Sequence, residues 1–143
     1  MQAVSLVAAQ FLLIALLIWP TSELVWIGPA FILALPAVAL AVWTLIFNRP
    51  GNFNIRPTVK EGAQLIVNGP YAWVRHPMYV CVLWMGIAAV VLYASWLKLA
   101  ALMALFVVLW LKASVEEKAL LIRFPAYREY ARRVGRFIPA RHI

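Results

Sequence analysis

Four apolar segments, at about 4–19, 24–47, 78–95 and 97–111, largely decide what this chain can fold into. A helix needs about 20 consecutive apolar residues to cross the hydrocarbon core of a bilayer. The second segment exceeds that length, and the others approach it. With 66% hydrophobic residues and a mean hydropathy of +0.88, the chain reads as an all-α integral membrane protein. No stretch is long or polar enough for a second domain, so residues 1–143 are taken as one. Helices are expected at about 4–19, 24–47, 78–95, 97–122 and 125–135, four in the membrane and the last at its surface.

Local signals refine these elements. Gly28-Pro29 and Pro36 predict a kink in the second helix. Thr21 and Ser22 are its candidate N-caps, with Glu23 favourable in its first turn. Only Tyr93-Ala94-Ser95-Trp96 joins the third and fourth segments, which predicts a tight helical hairpin, short enough for the bilayer to thin around it. The competing reading, one helix from 78 to 122, is far too long for a single span. Near the C-terminus, Phe124, Tyr127, Tyr130 or Ala131, Val134 and Phe137 recur at helical spacing, with Arg128, Glu129, Arg132, Arg133 and Arg136 between them. Pro125 suits the first turn of such a helix. The pattern predicts an amphipathic helix lying on the inner leaflet.

Charge sets the expected topology. Twelve of the thirteen basic residues lie between segments two and three or after segment four, and only Lys98 lies near the opposite face. The positive-inside rule then places both termini and the 48–77 connection in the cytoplasm of a multi-pass protein. The net charge of +8 sits beside apolar helices rather than on a soluble module. Anionic lipid headgroups are therefore the expected partner, and nucleic acid is not. No cleaved signal is expected, because the first residues carry no Lys or Arg and Trp19-Pro20 is followed by no small-residue cleavage pattern. The single Cys81 rules out an intrachain disulfide, and no metal cluster is expected.

Chemistry concentrates in two places. Asn68 through Tyr79 is polar, aromatic and basic, and it abuts an apolar helix. His76 precedes Pro77, which starts the third helix there and sets Arg75 and His76 at its N-terminus. That position favours an anionic ligand group. Arg offers a carboxylate two parallel donors, His donates and accepts, and Tyr71 and Tyr79 add aromatic faces with polar tips. A snorkelling arginine in an aromatic belt would look the same. The second place is Lys112 with Glu116 and Glu117. Lys112 and Glu116 form either an i,i+4 ion pair or part of a ligand site. Glu116 and Glu117 point about 100° apart, so they are not expected to face one ligand equally. The hairpin would carry both clusters to one membrane face.

The run from Gln64 to Tyr79, with Asn68-Gly69-Pro70-Tyr71 and Arg75-His76-Pro77-Met78-Tyr79 at its core, resembles the cofactor-binding segment of the isoprenylcysteine carboxyl methyltransferase family. Glu116-Glu117-Lys118-Ala119-Leu120, then Phe124, Tyr127, Tyr130, Val134 and Arg136-Phe137-Ile138-Pro139, is similar to that family's C-terminal signature. The Glu-Glu pair also recurs in phospholipid N-methyltransferases. The match covers roughly residues 60–139, in the family's order and spacing. It implies a membrane methyltransferase that uses S-adenosyl-L-methionine without a Rossmann domain, and the chain has no Gly-x-Gly-x-x-Gly run.

By that resemblance, Ala63, Gln64, Leu65, Ile66, Tyr71, His76, Tyr79 and Glu116 would hold the cofactor, with Glu117 in support. Arg75 would orient it, and Lys112 would face a lipophilic acceptor such as a prenylcysteine carboxylate or a related lipid. The chain departs from the family in three places. Lys112 stands where Arg is common, Cys81 where Gly is usual, and Arg123-Phe124-Pro125 where Phe-Gly is frequent. Lys lacks the planar two-pronged grip of Arg on a carboxylate. A phospholipid N-methyltransferase and a non-enzymatic membrane scaffold are the alternatives.

Overall fold

The structure is a computed structural model that describes residues 2–20, 24–48 and 65–140. Its described residues form five helices: α1 (Gln2–Ile18), α2 (Ile27–Phe47), α3 (Pro77–Tyr93), α4 (Trp96–Arg123) and α5 (Tyr127–Arg133). A 3-10 turn occupies Gly69–Ala72, and the described residues contain no strand. By length and composition α2 and α4 can each cross a membrane, and α1 and α3 are shorter apolar helices.

The hairpin forms as the sequence predicts. Ala94 adopts the left-handed conformation (φ 46°) and its N–H bonds Val90 O at 2.9 Å, which closes α3. Ser95 is extended, and α4 starts one residue later. The chain therefore does not run as one helix from 78 to 122. At 28 residues α4 is about 42 Å long. It outruns the roughly 30 Å apolar core, so its last two turns stand beyond a span that begins at Trp96.

Two boundaries differ from expectation. The second helix starts at Ile27 rather than 24, and Trp26 takes the cap position without a side-chain bond. Leu92 O accepts N–H bonds from Val25 (2.8 Å) and Trp26 (3.3 Å). A carbonyl at the end of α3 thus holds this stretch out of the helix. Thr21, Ser22 and Glu23, the predicted cap and first turn, lie outside the described residues and before that start. The C-terminal helix runs over Tyr127–Arg133 instead of 125–135. Pro125 precedes it in a turn where Phe124 O and Pro125 O accept the N–H groups of Tyr127 and Arg128, at 2.9 and 3.4 Å. Tyr127 and Tyr130 are buried against protein, so its aromatic face is not turned to lipid.

Packing follows the order α2, α3, α4, α1, with α1 also touching α3. The buried centre joins Leu17 of α1 to Ala101, Leu102, Leu105 and Leu109 of α4, flanked by Val82, Leu83 and Val90 of α3. Gly86 permits this approach, since a Cβ there would lie 2.6 Å from Leu102 Cδ1 and 3.5 Å from Leu17 Cδ1. Outward faces are apolar, with Leu12, Ile46 and Val107 all exposed. Faces of that kind suit hydrocarbon rather than water.

Lys98, the one basic residue away from the others, is fully buried at the far end of the bundle. Its ammonium donates to Leu16 O (3.1 Å), Leu17 O (2.9 Å) and Trp19 O (2.7 Å), and stands 4.2 Å from the centroid of the Tyr93 ring. It therefore caps the C-terminus of α1, where carbonyls lack helical partners and the dipole favours a cation. Lys98→Met keeps the length but orphans these carbonyls. It should cost about 2–3 kcal/mol, read as a lower melting temperature in detergent. An unchanged melt would refute the capping role.

Candidate functional site

The site begins with two backbone braces. The 3-10 turn rests on the end of α2, where Gly69 (φ +59°) lies so near the Phe47 ring that a Cβ would come within 2.5 Å of it. Glycine meets both the positive φ and the close approach. The second brace is an isolated parallel bridge between Val74 and Gly135. Arg75 N–H bonds Gly135 O at 2.8 Å, and His76 N–H bonds Arg136 O at 3.2 Å. The C-terminal segment is thus strapped along residues 74–76, at the entrance to α3.

These braces aim three cationic groups at Glu117 of α4, which is 7% exposed. Arg136 grips it with both prongs, Nε to Oε1 at 3.0 Å and Nη2 to Oε2 at 2.6 Å. Arg75 Nη1 lies 3.2 Å from Oε2, and His76 Nε2 lies 2.9 Å from Oε1. Arg136 also donates to Ser114 Oγ at 3.1 Å and stacks 4.2 Å from the Trp110 ring centroid. An array this buried and this paired fixes side-chain positions, because losing any partner strands a charge.

Glu116 faces the same imidazole from the other side. Its Oε2 lies 3.4 Å from His76 Nδ1, and its Oε1 accepts the Tyr79 hydroxyl at 2.5 Å. The adjacent glutamates, expected not to face one ligand equally, meet one protein side chain, His76, at unequal distances of 3.4 and 2.9 Å. An imidazole carries nitrogens on two edges, and the His76 ring spans the angle between the two carboxylates. It stacks on Tyr79 with centroids 5.3 Å apart and planes 5° from parallel, while Phe137 meets both rings edge-on.

Burial alone would lower the His76 pKa. Hydrogen bonds to Glu116 and Glu117 outweigh it and raise the value above the ordinary one. Tyr71 is pushed up to about 12 by burial and then by Glu116. The Tyr127 hydroxyl, beside Arg75, reaches about 12 by burial and the nearby Glu117 charge. Both phenols therefore stay protonated. Tyr130 of α5 donates to Tyr71 O at 2.6 Å and ties α5 to the turn.

Lys112, 2% exposed, lies one helical turn before Glu116. Its ammonium donates to Gln10 Oε1 of α1 and stands 5.3 Å from the Tyr79 ring centroid. The Glu116 oxygens turn to Tyr79 and His76, and Lys112 turns towards α1. Arg75, His76, Tyr79, Lys112, Glu116 and Glu117 thus form one constellation, bordered by Tyr71. Leu65 and Ile66 are half-buried just before the turn. Ala63 and Gln64 lie outside the described residues. Arg136 and Gln10 were not expected at the site. Arg136 looked like the polar face of an amphipathic helix, although it belongs to the Arg-Phe-Ile-Pro run. Gln10 is the one amide in the first apolar segment, and that isolation was its signal. Among the described residues no three His, Cys, Asp or Glu side chains gather where a metal ion could be held.

The family model of the isoprenylcysteine carboxyl methyltransferase (ICMT) family matches residues 30–122. Two curated proteins are also similar to the chain. One is the nickel-cobalt-cadmium resistance protein NccN of Alcaligenes xylosoxydans xylosoxydans, 35% identical over 82 residues. The other is the cobalt-zinc-cadmium resistance protein CzcN of Cupriavidus metallidurans, 37% identical over 82 residues. The alignment takes in 56% of this chain and 38% of each relative, so the chain covers little more than a third of the curated proteins it matches. No solved structure matches.

The raised His76 pKa gives a signed prediction. A group whose folded pKa exceeds its unfolded value of about 6.5 stabilises fully below that pH and loses its contribution as pH climbs through the folded value. The melting temperature in detergent should fall from about pH 6.5 upward, with a flatter slope for His76→Gln. Identical slopes in the two proteins would show that His76 does not carry this linkage.

Proposed function

The chain belongs to the isoprenylcysteine carboxyl methyltransferase family, and on that premise we propose that it transfers a methyl group from S-adenosyl-L-methionine to a lipophilic acceptor. The observation that carries this reading is His76, held between Glu116 and Glu117 with Arg75 alongside. Two motifs about forty residues apart meet there as one polar site in an otherwise apolar bundle. A scaffold has no need of such a costly arrangement.

The donor set fits the cofactor. Glu116 is less buried than Glu117, with side chains 21% and 10% exposed. It suits an ammonium or ribose hydroxyl, and Arg75 suits a carboxylate. Tyr71 and Tyr79 offer ring faces to a cationic or planar group. When bound, S-adenosyl-L-methionine supplies an electrophilic methyl group on a sulfonium sulfur. The chain's share of the work is alignment and exclusion of water. Glu117 locks Arg75, His76 and Arg136 in place, and the apolar bundle keeps the site dry. Lys112 orients the acceptor head, while the apolar tail stays in hydrocarbon, where it keeps its burial energy. A carboxylate acceptor, as in a prenylcysteine, needs no base. Phospholipid N-methyl transfer is the competing reading, because the point charge of Lys112 also suits a phosphate. What carries over from the comparison is family chemistry, not the metal resistance printed for the two longer relatives.

Wild-type protein in detergent should bind S-adenosylhomocysteine, and a His76→Ala, Glu116→Ala double variant should bind at least tenfold more weakly. Equal affinities would end the enzyme reading. Offering radiolabelled methyl donor with a prenylcysteine analogue and with phosphatidylethanolamine separates the two acceptor classes.

The site is proposed to face the cytoplasm in a multi-pass arrangement, with basic residues and anionic headgroups on that side. Single cysteines replacing Arg132 or Trp96, in a Cys81→Ser background, test this. An impermeant maleimide should label W96C in intact cells, and R132C only after permeabilisation. The reverse pattern overturns the orientation.

A further inference from the structure

Resting on the methyltransferase reading, we propose that Tyr127 of α5 is a positioning residue, whose hydroxyl accepts the Arg75 Nε–H and sets the plane in which Arg75 meets the cofactor carboxylate. Two buried polar side-chain atoms among the described residues stand outside any aligned hydrogen bond, Arg75 Nε and the Tyr127 hydroxyl oxygen. They belong to neighbouring side chains, since Arg75 lies close enough to act on that hydroxyl by charge and as a donor. Tyr127 is 2% exposed, so water does not serve its hydroxyl. An Nε–H donates and a phenol oxygen accepts, and each is what the other lacks. Left apart, both forfeit a hydrogen bond away from solvent, a cost that native structures rarely bear.

The surroundings hold Tyr127 in place for this task. Its ring meets that of Tyr130 at 5.6 Å between centroids, and the Tyr130 hydroxyl donates to Tyr71 O at 2.6 Å. The backbone of Arg75 is fixed in turn by its N–H bond to Gly135 O. Both partners are therefore anchored, one on α5 and one on the strapped segment. Arg136 is the other arginine beside the phenol, and its donors are spent. It gives Nε and Nη2 to Glu117 and Nη1 to Ser114. Arg75 meets Glu117 through Nη1, at 3.2 Å. A guanidinium held at one nitrogen can pivot about that contact. A second contact at Nε sets its plane, and the remaining donors then point one way, as two-pronged recognition of a carboxylate requires.

The test is a double-mutant cycle on the full chain in detergent, with Tyr127→Phe, Arg75→Met and the two combined. The probes are S-adenosylhomocysteine and its decarboxylated analogue, which keeps the amine and loses the carboxylate. Tyr127→Phe removes the hydroxyl alone. It should weaken S-adenosylhomocysteine about tenfold, as loss of a hydrogen bond to a charged group does. The analogue should weaken by no more than about twofold, whereas a general packing defect weakens both. In the Arg75→Met background the same change should move neither probe beyond about twofold. Melting gives a second readout that needs no ligand. Tyr127→Phe should lower the melting temperature, and the drop should vanish in the Arg75→Met background. A Tyr127→Phe protein that melts at or above wild type, as removal of an unpaired buried hydroxyl would give, overturns the proposal. Equal weakening of the two probes overturns it as well. Failure of the wild type to bind S-adenosylhomocysteine would sink the enzyme reading instead, and the melting cycle would still decide whether Tyr127 holds Arg75.

Discussion

Glu117 is the residue on which this site depends. One carboxylate, almost out of contact with solvent, faces Arg75, His76 and Arg136, and these come from the entrance to α3 and from the segment after α5. Its own helix, α4, is anchored by packing against α1 and α3. Desolvating such charges costs several kcal/mol per ion and is repaid only by close geometry and full pairing. The arrangement therefore tolerates little variation in how the three segments meet. The Val74–Gly135 bridge and the two main-chain bonds to Arg75 and His76 achieve this without side chains. Position is fixed by the backbone first, and charge then locks it.

A consequence is division of labour between neighbouring acids. Glu117, gripped on both oxygens, is a structural centre. Glu116, with its oxygens on Tyr79 and His76, keeps the more accessible side chain, 21% exposed against 10%. His76 joins the two roles. The helix periodicity that separates adjacent side chains by about 100° is what allows the division, because it gives each acid a different edge of the same ring.

Much of this was legible in the chain. Period and length gave the helices, His76-Pro77 gave the start of α3, and Tyr93 to Trp96 gave the hairpin. The hairpin, in turn, brings residues 68–79 and 112–117 to the same end. What stayed hidden depended on tertiary partners. The start of α2 is set by Leu92 O, a carbonyl more than sixty residues away, which no local cap signal can announce. Tyr127 and Tyr130 show a helical apolar period, but the period alone does not say whether lipid or protein covers that face. Here the turn at Tyr71 covers it. Arg136 sat among other arginines of one amphipathic pattern. The strap to residues 74–76 sets it apart from Arg132 and Arg133, which pair with the exposed Glu129.

The two buried lysines of α4 show why burial by itself does not mark a functional cation. Lys98 and Lys112 lie on one helix, about 21 Å apart along its axis. An ammonium has three donors, and Lys98 directs them to three carbonyls at the end of α1. Those acceptors are main chain, would exist with any sequence, and ask only for a cation of that reach. Lys98 is therefore accounted for by the fold. Lys112 is held instead by a side chain that the fold does not require, an amide in the middle of an apolar helix, and by a ring shared with the cluster around His76. An apolar residue at position 10 would serve helix packing better, since burying an amide costs free energy that its hydrogen bond only partly returns. That amide stands against a buried charge, one turn from the acids of the site.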